Sequence, residues 1–180
     1  LGLPVRHVIS ATGAYSVRPL YQFATSFIVS SAYKAASAVL CISQYIQDEI
    51  LKKVFLNNIR VITLGVDATK FSGTRHSKEP FILSVGNLAH RKGYHVSVAA
   101  FAEIAGQFPE LKYYIAGAVD EHIRDKCLAL LKPRGLENRV VFLGSLNDTA
   151  LKELYLSAEL FVLTAINEDF HFEGFGLVFL

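Results

Sequence analysis

Cysteine is scarce in this chain, and what little there is does not pair. Cys41 and Cys127 are the only two among 180 residues, far apart and each in apolar surroundings. That excludes a disulfide framework and a cysteine metal centre. Both are expected to be buried small hydrophobes in a reducing compartment. Long apolar runs are missing as well: none reaches the roughly 18 residues of a membrane span. The longest uncharged stretch of the first third, Pro19 to Tyr33, carries Gln, Thr and Ser. A signal-peptide pattern is absent, so the expected location is cytoplasmic, at most peripheral at the inner face of the membrane. Net charge is only +2, too mild to argue for nucleic acid as a partner. Acid is thin at the front: in residues 1–60, Asp48 and Glu49 stand against Arg6, Arg18, Lys34, Lys52, Lys53 and Arg60. The balance there is about +4, leaving about −2 for the remainder. A basic first third fits an anionic acceptor or a membrane surface, and it equally fits helices that are simply solvated.

What is present is apolar and periodic. Hydrophobic residues make up 52% of the chain, enough for a sizeable core. Short β-branched runs alternate with helical patterns. HVIS from His7 reads as a strand, and Pro19 suits the first turn of a helix running to about Ala36. AVLCIS is the next strand, and Ser43 is placed to cap a helix containing Ile46, Ile50, Leu51 and Val54. IRVITLG is a third strand. From Gly65 to Pro80 the pattern stops in a polar, glycine-containing stretch longer than ordinary α/β connections. FILSVG then opens a new series with LKYYIAG, RVVFLG and LFVLTA. Its helices are expected to bury Val96, Ala99, Ala100, Phe101 and Ile104, and to run from about Asp120 to Leu131 and from about Asp148 to Ser157.

Such alternation yields mostly parallel sheets covered by helices on both faces, an α/β class. Two Rossmann-like domains are expected, both incomplete. Residues 1–65 would close the first, 66–80 would link them, and 81–180 would open the second. The chain starts at Leu1 and stops at Leu180 just after a glycine turn, so both ends are expected to be cut. Ligands of these sheets sit beyond the carboxyl ends of the strands.

Two loops there can carry chemistry. In GNLAHRKG, Gly86 to Gly93, glycines permit close backbone approach, and Arg91 with Lys92 sets two cations at a helix start that already favours an anion. A diphosphate suits it; a solvated basic turn would look the same. The spacing is not the dinucleotide fingerprint, and no Walker-type GK[ST] occurs. In NEDFHFEGFG, Asn167 to Gly176, carboxylates abut a glycine turn. Glu173 would repel a phosphate but accepts well from neutral hydroxyls, at about 1.5–3 kcal/mol per charge-assisted bond. Gly174 and Gly176 can offer N–H groups to an oxyanion at the mouth of a new helix. A sugar nucleotide satisfies both halves; a carboxylate that merely favours a helix N-terminus is the plainer alternative. His90 and His95 flank the Arg–Lys pair without a third ligand nearby, so no metal site is expected.

EGFGLVFL after FVLTA resembles the signature of retaining glycosyltransferases of family 4, also called group 1, with the two-Rossmann GT-B architecture. AVLCISQYIQDEI, VITLGVDATKF, ILSVGNLAHRKG, YYIAG and RVVFLGSLNDTALKELYLSAELFVL support the likeness in family order, from about Tyr33 to Leu180. The resemblance implies a UDP- or GDP-sugar donor, a glycan or lipid-linked acceptor, and no metal or other cofactor. Glu173 matches the first glutamate of the E-x7-E motif, which contacts hydroxyls of the donor hexose. Gly174, Phe175 and Gly176 would lie against the donor's diphosphate or sugar. Lys92, and Arg91 beside it, match the loop that neutralises the diphosphate. Gly86, Gly117 and Gly144 match glycines lining the nucleotide cleft; His171 is placed to touch the donor sugar, and a solvated loop histidine would look the same.

Three departures stand out. Asn87 occupies a position where family members commonly carry arginine, leaving Arg91 to substitute or one diphosphate contact missing. The second glutamate of the motif would fall one residue beyond Leu180. ATGAY resembles an acceptor-side His-Gly-Thr loop, with Thr12 where the histidine would be and Gly13 after it. These departures keep a nucleotide-sugar-binding module without transfer activity open, and a GT-B sugar-nucleotide epimerase is a further alternative. The 180-residue chain by itself is expected to be inactive.

Overall fold

The computed structural model describes residues 6–73, 79–168 and 172–179, the side chain of Lys70 excepted. The chain forms two compact units: Leu1–Val66 together with Asn167–Val178, and Asp67–Ile166. Among the described residues, no helix is long and apolar enough to cross a membrane.

In the first unit, strands β1 (Val8–Ala11), β2 (Ala38–Cys41) and β3 (Ile59–Val61) form a parallel sheet in that order. Helix α2 (Phe23–Ala35) links β1 to β2, and α3 (Gln44–Leu51) links β2 to β3. Parallel neighbours need crossovers of this kind. Ser43 caps α3 as its sequence position predicts, its Oγ accepting from the Ile46 N–H at 3.3 Å. Ile46 and Ile50, four apart and both fully buried, then face Val39 and Cys41 in the core. The helix expected from Pro19 is instead broken. A short helix α1 (Ala14–Val17) leads into a 3-10 turn, Arg18–Tyr21, and Gln22 is extended before α2 starts. The turn closes on the Pro19 carbonyl, which accepts from the Gln22 N–H and, at 2.8 Å, from the Thr25 hydroxyl. Strand β3 is also shorter than IRVITLG suggests. Its partner β2 ends at Cys41, and the last ladder bond runs from the Ile62 N–H to the Cys41 carbonyl. Beyond it there is nothing left to pair.

In the second unit, β4 (Phe81–Val85), β5 (Lys112–Ala116), β6 (Val140–Gly144) and β7 (Leu160–Phe161) form a parallel sheet ordered β6-β5-β4-β7. All five residues of β4 are buried, as a central parallel strand covered on both faces requires. Helices α4 (Tyr94–Ile104), α5 (Glu121–Leu131) and α6 (Asp148–Ser157) make the crossovers. Asp120 and Asn147 cap the last two through their side chains. The phase of α4 differs from expectation. Phe101 is buried as expected, but Val96 and Ile104 are 44% and 36% exposed, and Ala100 also faces outward. The inward stripe is Tyr94, Ser97, Val98, Phe101 and Ala105. A hydrogen bond from the Tyr113 hydroxyl, 2.7 Å, draws Ser97 inside and sets that phase. The stretch read as a linker contains a 3-10 turn, Ala68–Phe71, begun by Asp67, which accepts from the Thr69 N–H at 3.1 Å. Phe71 stands edge-on to Tyr155 of α6.

The chain lays down β4, β5 and β6 in one direction, then returns across β4 to place β7 on its far side. The topological switch therefore falls between β4 and β7, where an open α/β sheet offers a crevice at its carboxyl edge.

Candidate functional site

The carboxyl edge of the second sheet is built from glycines. Gly86 follows β4, Gly117 follows β5, and Gly144 ends β6. The Gly86 N–H donates to the Ala116 carbonyl and the Gly117 N–H to the Gly144 carbonyl, both at 2.8 Å. Gly117 is obligatory here. A Cβ at this position would stand 2.2 Å from the Gly86 carbonyl oxygen, and its φ is +145°. Val85, Gly86, Asn87, Gly117, Ser145 and Leu146 help line a cleft of about 190 Å³. Gly144 is not among its lining residues; it holds Gly117 from behind.

Lys92 does not line this cleft but lies against its glycine turn. Though charged, it is only 9% exposed. A Cβ added to Gly86 would lie 3.5 Å from Lys92 Cε and 3.7 Å from its Nζ, so the ammonium sits against the glycine turn. What holds it there is the turn that follows. Gly93 is left-handed, φ 67° and ψ 25°, and begins α4. A side chain there would run into the Thr164 carbonyl oxygen at 1.9 Å. Thr164 returns a hydrogen bond, its hydroxyl donating to the Gly93 carbonyl at 2.7 Å, and the Ile166 N–H donates to the Arg91 carbonyl at 2.8 Å. The loop of β4 and the chain leaving β7 are thus stitched together at the switch. The Lys92 ammonium, a helix N-terminus and a glycine-lined recess suit an oxyanion, and Arg91 precedes Lys92 in the same turn. Asn87 is exposed, and its Oδ1 accepts from the Ala118 N–H at 3.4 Å. His90 and His95 stack at 5.1 Å between centroids.

The other expected residues lie in the first unit. Glu173 is half-buried and Gly176 buried. Phe172 is buried edge-on against Tyr45, 4.9 Å between centroids, and Phe175 packs on the same core. Gly174 sits over Ile46 and Gly13: a Cβ there would be 3.0 Å from Ile46 Cδ1 and 3.3 Å from Gly13 Cα. The EGFG turn and the ATGAY loop therefore meet. Thr12 donates its N–H to the Ser16 hydroxyl at 3.1 Å. Where a helix is expected after Gly174, the described residues form a 3-10 turn, Leu177–Phe179. His171 lies outside the described residues.

Sequence reasoning overlooks three contributors. Ser145 lines the cleft, Thr164 clamps Gly93, and Tyr94 donates its hydroxyl to the Gly86 carbonyl at 2.7 Å. Only Thr164 carried a signal, being next to the end of an apolar strand pattern at the carboxyl edge.

Parallel strands in this order with a glycine-lined carboxyl edge define an α/β unit, and the fold is of the GT-B type. Residues 66–180 match the family described as Glycosyl transferases group 1, and the chain belongs to that family. It is 36% identical over 104 residues to an uncharacterized glycosyltransferase of Methanocaldococcus jannaschii, covering 57% of this chain and 24% of that one. It is 27% identical to the alpha-D-kanosaminyltransferase of Streptomyces kanamyceticus, covering 100% of this chain and 50% of the relative. Among solved structures, Anabaena HepE in complex with UDP and glucose superposes with a TM-score of 0.72 at 21% identity, covering 94% of this chain and 48% of that one. The chain thus spans about half the length of the last two proteins.

Proposed function

We propose that the protein containing this chain transfers a hexose from a nucleoside diphosphate sugar, UDP- or GDP-linked, to a hydroxyl of a growing glycan or glycolipid, with retention at the anomeric carbon. The observation that carries this reading is the nearly buried Lys92 ammonium lying against Gly86 beside the glycine-lined cleft. A cation held there suits a diphosphate whose charge grows as the bond between the sugar C1 and the phosphate oxygen breaks. Lys92, Arg91 and the first turn of α4 would stabilise that charge electrostatically. As C1 bonds to the acceptor oxygen on the same face, the departing phosphate takes the acceptor's proton. No protein nucleophile and no metal ion is needed in this scheme. Glu173 would accept hydroxyls of the donor hexose, and Gly174, Phe175 and Gly176 would lie against the donor. Thr12 and Gly13 belong to the acceptor side.

Two substitutions in the full-length protein test this. Glu173→Ala should lower donor turnover at least about tenfold, since one charge-assisted bond exceeds the roughly 1.4 kcal/mol that tenfold requires; unchanged kinetics would remove Glu173 from the site. Lys92→Ala should weaken nucleoside diphosphate binding by about tenfold or more, and superimposable titration curves would refute its role. Asn87, committed to Ala118, favours one second reading, a module that binds a nucleotide sugar without transferring it. Donor binding with neither hydrolysis nor transfer would establish that alternative.

A further inference from the structure

We propose that Tyr94 is a positioning residue for the diphosphate side of the site, an inference that rests on the function proposed above. Tyr94 occupies the first position of α4 and is 1% exposed. Its hydroxyl donates to the Gly86 carbonyl at 2.7 Å. Because a trans peptide points its C=O and N–H in opposite directions, holding the Gly86 carbonyl on the Tyr94 side turns the Asn87 N–H to the other side. The hydroxyl therefore sets the plane of the peptide that lines the cleft. It also bounds the space of Lys92. The vacancy left by the absent Cβ of Gly86 is bordered by the Tyr94 hydroxyl at 3.3 Å, Lys92 Cε at 3.5 Å and Lys92 Nζ at 3.7 Å. Tyr94 and Lys92 thus share one wall.

The anchor behind the hydroxyl is unusually firm for a loop contact. The Tyr94 carbonyl accepts from the Ser97 hydroxyl at 3.1 Å, Ser97 accepts from the Tyr113 hydroxyl at 2.7 Å, and Tyr113 lies 2.7 Å from the Ser84 hydroxyl. Ser84 in turn donates to the Val162 carbonyl. One chain of hydroxyls ties α4, β5, β4 and the end of β7 to the residue that holds Gly86. A group fixed this way loses little freedom when a ligand arrives, and pre-paid order of that kind raises affinity without a new ligand contact.

The test is calorimetric titration of UDP and GDP into the full-length protein as wild type, Tyr94→Phe, Lys92→Ala and the double variant, with Ser97→Ala as a variant of the anchor behind Tyr94. Tyr94→Phe keeps the buried ring and removes only the hydroxyl; it should lower affinity roughly fivefold, the worth of one neutral hydrogen bond. In the Lys92→Ala background the same change should cost less than about twofold, because the wall then has no cation to place. Ser97→Ala, which loosens the anchor but keeps the Tyr94 hydroxyl, should lower the thermal midpoint and weaken binding less than Tyr94→Phe does. Equal affinity of Tyr94→Phe and wild type would overturn the inference, as would an undiminished loss in the Lys92→Ala background. So would a Tyr94→Phe protein that does not fold, since the hydroxyl would then serve the fold and not the site. Failure of the wild type to bind either nucleotide would instead sink the functional reading, and this inference with it.

Discussion

Replacing Gly93 by alanine separates two costs that usually arrive together. Gly93 and Gly135 adopt nearly the same left-handed backbone, φ 67° and ψ 25° against φ 63° and ψ 34°. Their surroundings are opposite. A Cβ at Gly135 would meet nothing within 4 Å, whereas at Gly93 it would lie 1.9 Å from the Thr164 carbonyl oxygen and 2.8 Å from its carbon. Gly135→Ala should therefore cost only the left-handed penalty of about 1–2 kcal/mol. Gly93→Ala adds about 1–3 kcal/mol of overpacking and about 1 kcal/mol for the Thr164-to-Gly93 hydrogen bond it must break. The totals are about 1–2 against about 3–6 kcal/mol. For a unit of this size each kcal/mol moves the thermal midpoint by about 4–8 °C. Thermal and urea unfolding of both variants, followed by circular dichroism, would measure the gap. Losses equal to within about 0.5 kcal/mol would refute the close approach of the Arg91–Gly93 turn to Thr164.

Two further outcomes follow from the buried polar groups. In the Ser84–Tyr113–Ser97 chain, Ser84 donates to Val162 and Ser97 to Tyr94, so the Tyr113 proton serves one serine oxygen at a time. Tyr113→Phe leaves both serines a backbone partner and should cost only about 1–1.5 kcal/mol in urea unfolding; a loss above about 3 kcal/mol would mean the chain acts as a unit. Burial pushes the Cys41 and Cys127 thiols from 9.0 up to about 11. The unfolded state then sheds protons first, so their contribution to stability is full below about pH 9 and is lost as pH rises through about 11. Both thiols should also resist alkylation at pH 8 until the chain unfolds; rapid labelling of the native protein would contradict their burial.

Much of the architecture was legible because its signals are local. The run FILSV is apolar throughout and becomes a strand buried at every position, and Ser43 caps the helix it precedes. The glycines after the strands announced the cleft that Gly86, Asn87 and Gly117 help line, with the Lys92 ammonium against Gly86. What escaped depends on partners distant in sequence. Ser97 reads as a surface residue until the Tyr113 hydroxyl is known to draw it inward, which rotates α4 relative to a purely hydrophobic assignment. Tyr94 reads as core, since periodicity reports its ring and not the destination of its hydroxyl. Likewise no pattern in EGFG says that Gly174 rests on Ile46 and Gly13.

The order β6-β5-β4-β7 bears on how the second unit assembles. Strand β4 finds β5 roughly 30 positions along the chain but β7 only after roughly 80, and the longer closure costs about 0.8 kcal/mol more in chain entropy. The β4–β5–β6 half, and with it the glycine-lined cleft, can gather while the chain is still being synthesised, but β7 has to wait. The turn bearing Lys92 acquires its brace from Thr164 and Ile166 only once that later part of the chain is in place.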